Sequence, residues 1–64
     1  MITDMKYNGH PVYMFKISGR YYYVCRSECS FMAFCPAGDF VAVGAPEGMS
    51  YQRAARIAAH MFKD

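Results

Sequence analysis

The stretch PVYMFKISGRYYYVCR, residues 11–26, constrains the fold more than any other part of the chain. Two runs rich in β-branched and aromatic residues flank Ser18-Gly19, and a two-residue loop of this kind joins antiparallel strands in a hairpin. The spacing predicts a hairpin over residues 12–26, with Ile17 opposite Arg20, Phe15 opposite Tyr22 and Tyr13 opposite Val24. Residues paired across strands share a face. One face therefore carries Tyr13, Phe15, Ile17, Tyr22 and Val24. The other carries Val12, Met14, Lys16, Tyr21, Tyr23 and Cys25. A sheet with one solvated side alternates apolar and polar positions, and this one does not. Whatever the chain folds into must cover apolar side chains on both sides of its sheet.

The same pattern recurs downstream. SFMAFC and FVAVG flank Pro36-Ala37-Gly38-Asp39 and predict a second hairpin over residues 30–44, joined to the first through residues 27–30. ITDMKY, ahead of the Asn8-Gly9 turn, is a candidate further strand, although Pro11 just past the turn cannot donate to a ladder. From Ser50 the period changes to that of a helix, predicted over about residues 50–63. Its inner side holds Tyr51, Ala54, Ala55, Ala58, Met61 and Phe62, with Ile57 at the border; Gln52, Arg53, Arg56, His60 and Lys63 lie outside. Ser50 stands at the N-cap position. The expected fold is α+β: an antiparallel meander of three to five strands packed by one C-terminal helix, in a single domain spanning residues 1–64.

A chain of 64 residues buries only about 60% of the surface its unfolded form exposes. Yet 55% of its residues are hydrophobic, among them six Tyr, five Phe and six Met. That content suits a small domain whose apolar surface is covered in part by another chain.

The three cysteines, Cys25, Cys29 and Cys35, have the spacings C-x3-C and C-x5-C. Structural zinc sites use closer paired spacings, and only His10 and His60 are available as a fourth ligand, both far away along the chain. The thiols are expected to pack as small apolar groups, with no metal and no cofactor. A cysteine nucleophile needs a positioned base, and no motif places His10 or His60 beside one, so no enzymatic activity is expected. No apolar run reaches the length of a membrane span and the N-terminus lacks a leader-like apolar core. The expected location is the cytoplasm, without a membrane partner.

Two features suit recognition. Tyr21-Tyr22-Tyr23 sends its side chains to alternating faces, and exposed tyrosines supply stiff, amphipathic contact area at protein interfaces. Arg53, Arg56 and His60 follow one another along the outer side of the helix. The expected protein-binding set is Tyr13, Phe15, Tyr21 and Tyr23 as anchors with Arg53, Arg56 and His60 as a basic rim. The alternative is nucleic-acid binding through Lys16, Arg20, Arg26, Arg53, Arg56 and Lys63. Against it stands a net charge of only +2, from seven Lys/Arg and five Asp/Glu.

The layout of strands followed by a helix, closing on AVGAPEGMSYQRAARIAAHM, resembles the arm-type DNA-binding domains at the N-termini of tyrosine recombinases. That resemblance covers residues 12–62 in layout and 44–58 in wording. It implies a sheet face that reads DNA, with Lys16, Arg20 and Arg26 as the contact positions. By size and style the chain also resembles the small accessory proteins of phages and other mobile elements, including anti-CRISPR and other anti-defence inhibitors. That resemblance implies a regulator or inhibitor that occupies a host protein. With one helix to cover a two-sided apolar sheet, a homodimer is expected over a monomer.

Overall fold

A computed structural model of the chain describes residues 1–36, 38–44 and 47–62. Five strands form one antiparallel sheet in chain order: β1 (Ile2–Tyr7), β2 (His10–Ile17), β3 (Arg20–Arg26), β4 (Phe31–Phe34) and β5 (Phe40–Gly44). One helix, α1 (Tyr51–Phe62), packs on one side. This is the α+β meander expected from the sequence, with the strand number at the upper end of the expected range.

The turns explain the register. Asn8 and Gly9 have φ of 49° and 80°, and Ser18 and Gly19 have 53° and 81°. Left-handed conformations at both central residues define the two-residue turn whose twist matches that of paired strands. The second turn pairs Ile17 with Arg20, Phe15 with Tyr22 and Tyr13 with Val24, as its spacing predicts. In the first hairpin Tyr7 pairs with His10 and Lys6 with Pro11. Antiparallel pairs alternate between hydrogen-bonded and non-hydrogen-bonded, so Pro11, one pair beyond the turn-closing pair, falls where β1 needs no N–H. The β2–β3 ladder starts only at Tyr13 and Val24, so β3 needs none there either. The proline is tolerated for that reason, and a register shift between Ile2 and Lys6 takes up the remaining mismatch. Between β3 and β4 the turn is braced by side chains: the Ser27 N–H and hydroxyl both donate to the Ser30 carbonyl, at 2.7 and 2.9 Å.

The core lies between sheet and helix. Val24, Phe31 and Ala33 from the sheet meet Ala54, Ala55 and Ala58 from α1, with Phe15, Ile17, Val41, Val43, Tyr51 and Phe62 packed around them. Small residues on both sides let the helix backbone approach the sheet closely. Aromatic rings close the ends: Tyr51 lies 4.1 Å from Tyr13 and 5.1 Å from Phe31, centroid to centroid, and Phe62 stacks on Tyr22 at 5.8 Å. Met61, expected on the inner side, is instead 49% exposed. Phe62 occupies the space above Tyr22, which leaves Met61 at the margin of the stripe and turned to solvent.

Candidate functional site

The side of the sheet away from α1 is built by strand register alone. Met14 pairs with Tyr23, Tyr23 with Phe34, and Phe34 with Phe40. These pairings set four large apolar side chains in one row across β2, β3, β4 and β5. Tyr23 and Phe34 stack at 5.9 Å. Beside the row, Lys16 pairs with Tyr21 and holds its ammonium 5.4 Å from the ring centroid. On the other flank Cys25, Met32 and Ala42 form a parallel row. Val12 and Cys25 are buried although the helix lies on the opposite side, and β1 comes within reach of β3 as well as β2. The β1 end of this face is therefore closed and the β5 end open. Phe40 is 65% exposed and Tyr21 42% exposed.

Register divides the expected anchors. Tyr21 and Tyr23 belong to this open face. Tyr13 and Phe15 lie on the helix side, where Tyr13 contacts Tyr51 and Phe15 borders the core. The four tyrosine and phenylalanine positions thus do not form one surface. Phe34 and Phe40 complete the row and are not among the anchors expected from the sequence. FMAF and FVAVG are apolar throughout, so no alternation marks a face, and only the β3–β4 and β4–β5 registers bring Phe34 and Phe40 into the row.

The cations separate as well. Lys16 sits on the open face with Tyr21. Arg26 pairs with Phe31 on the helix side, at the far end of β3 from Arg20. Arg53 is exposed near the start of α1, and Lys63 lies outside the described residues. Arg20, Arg56 and His60 do come together. They line an open cleft of about 610 Å³ between the β2–β3 turn and the second half of α1, together with Ser18, Tyr22 and Ala59. Among the described residues the lining holds no carboxylate. A second cleft of about 450 Å³ shares Arg20 and Tyr22 and is bordered by Asp39, Cys35 and Phe62.

The cysteines are free: Cys25 is buried, Cys35 half-buried beyond β4, and Cys29 exposed in the turn between β3 and β4. Burial pushes the Cys25 thiol above its ordinary range. The Tyr51 phenol is also raised, by burial first and then by the neighbouring Tyr13. Among the described residues, no group of three or more His, Cys, Asp or Glu is placed to hold a metal ion, and no helix is long and apolar enough to cross a membrane.

No protein family, curated protein or solved structure matches the chain.

Proposed function

We propose that the protein is a non-enzymatic binding module that docks on another protein through the helix-free face of its sheet. The observation that supports this is the row Met14–Tyr23–Phe34–Phe40 with Tyr21 beside it, open at the β5 end and 65% exposed at Phe40. Contiguous aromatic surface that the fold itself leaves uncovered is a mark of interaction sites. Aromatic residues near the middle of such a patch carry most of the energy of an interface. Lys16, held against Tyr21, supplies polarity at the margin. The role that fits is a small regulator or inhibitor acting by occupying a host protein's surface.

Nucleic-acid binding is the second reading and is less well supported. A protein that tracks a phosphate backbone needs cations along one surface. Lys16, Arg20 and Arg26 are instead divided between two sides of the sheet and two ends of β3.

A pull-down from nuclease-treated lysate, comparing the wild-type chain with the Tyr21→Glu/Phe40→Lys double variant, in which the new carboxylate stands opposite Lys16, tests the reading. Both residues are exposed, so the double variant should keep the wild-type circular dichroism and melting temperature. Captured protein should disappear from the variant and survive nuclease. Capture that is unchanged in the double variant, or that vanishes with nuclease, contradicts the proposal.

A further inference from the structure

We infer that the cleft formed by Arg20, Arg56 and His60 is a binding site for a phosphoryl group carried by a small molecule. The chain has seven Lys/Arg and two His. Two of those arginines and one of those histidines converge on one cleft whose lining contains no acid among the described residues. Arg20 comes from the first residue of β3, while Arg56 and His60 stand one turn apart on α1. Nothing in the packing of the core requires this convergence, since all three side chains are exposed. The two guanidinium groups repel one another, and an anion seated between them removes that repulsion.

The chemistry selects the anion. Guanidinium groups present planar paired donors that match the oxygens of a phosphate bidentately. The Ser18 hydroxyl, held at the turn by its left-handed backbone with φ of 53°, adds a neutral donor on the same lining. The remaining walls, Ile17, Tyr22 and Ala59, are largely apolar and suit the organic part of a ligand better than a second phosphate. A volume of about 610 Å³ lies within the usual range of small-molecule sites, about 300–1,000 Å³. The carbonyl end of α1 works against an anion, so binding should depend on the arginines more than on the helix. Because Lys6, Lys16, Arg26 and Arg53 are not on this lining, this is a point site and not a track for a polyanion. It does not depend on the aromatic sheet face.

Amide chemical shifts of the full chain, titrated at constant ionic strength with inorganic phosphate, pyrophosphate and adenosine diphosphate, test this inference. The expected result is saturable change confined to residues 18–22 and 56–60. Saturation by phosphate or pyrophosphate alone indicates a free anion as ligand; tighter binding of the nucleotide indicates an organic phosphate. Arg20→Gln and Arg56→Gln should each weaken binding by about tenfold or more, while Lys6→Gln, on exposed β1, should not change it. Absence of saturation, shifts spread over all cationic positions, an equal loss in Lys6→Gln, or a response to duplex DNA alone would each overturn the inference. The wild-type titration decides the matter even if a variant folds poorly.

Discussion

Cys25 and Cys29, four positions apart, illustrate how placement decides the chemistry of a residue. Cys25 is fully buried beside Met32 across the β3–β4 ladder, and Cys29 is exposed in the turn that follows. The thiolate is the reactive form, so a thiol whose pKa is raised by burial is protected twice, by access and by protonation. An aromatic disulfide reagent at neutral pH should label Cys29 first, Cys35 more slowly and Cys25 only after unfolding. Mass mapping of the labelled peptides checks the order, and labelling of Cys25 at the rate of Cys29 would contradict it. The same burial has a consequence for alkaline stability. The Cys25 thiol and the Tyr51 phenol are neutral when protonated, and each holds its proton more tightly folded than unfolded. Their contribution is complete below the ordinary thiol pKa of about 8.5 and is lost as pH rises through the raised folded values. Urea melts should therefore show stability level near neutrality and declining above the thiol range. Cys25→Ala should delay the decline toward the tyrosine range.

At the scale of elements, α1 is the part most dependent on its surroundings. A helix of 12 residues is marginal in isolation, so its first turn matters. The Arg53 N–H donates to the Ser50 hydroxyl at 3.1 Å, and the Ala54 N–H donates to the Ser50 carbonyl at 2.9 Å. Ser50→Ala removes the first of these and should cost about 1 kcal/mol, a fall of roughly 4–8 °C in a domain of this size. Ser50→Gly should cost only a few tenths of that. Differential scanning calorimetry of the two variants checks the ranking, and equal melting temperatures for Ser50→Ala and wild type would contradict the cap. The helix and the β2–β3 hairpin were the elements most legible in the sequence, because each is specified locally. Ser50 with its alanine period marks one, and the Ser18-Gly19 loop with its pairing register marks the other. β1 was less legible, since whether Pro11 breaks a ladder depends on which of its neighbours needs an N–H. Met61 was misplaced because a helical period gives a stripe and not its edges; the ring of Phe62 on Tyr22 settles the edge. The candidate surfaces were legible only in part. Tyr21 and Tyr23 follow from the first hairpin, but Phe34 and Phe40 join them only through the β3–β4 and β4–β5 registers. The cleft unites Arg20 with Arg56 and His60 across most of the chain, and no local pattern reports such a contact.

At the scale of the molecule, the fold solves half of the problem posed by a sheet that is apolar on both sides. The helix and the aromatic rings of Tyr51 and Phe62 cover one side, while β1 closes only the Val12–Cys25 end of the other. What remains open is the end near β5, a strand of five residues without a charged side chain at the edge of the sheet. Native edge strands are usually guarded by charges, proline or bulges. Both edge ladders carry a register shift, but β1 also carries Asp4 and Lys6, whereas β5 carries no charge and has Phe40 exposed at its start. We propose a second copy as the first occupant in purified protein: light scattering at micromolar concentration should give a mass near twice 7.3 kDa, falling to the monomer value in Phe40→Lys. A monomer at every concentration would assign the face to a foreign protein and remove the homodimer. The most direct test of the docking face itself is site-specific photo-crosslinking, with a photoreactive phenylalanine analogue placed either at Phe40 or at Gln52, which is exposed on the outer side of α1. The docking face predicts covalent adducts to protein from position 40, in purified protein or in lysate, and none from position 52. Adducts of equal yield from the two positions, or none from position 40 under either condition, would contradict it.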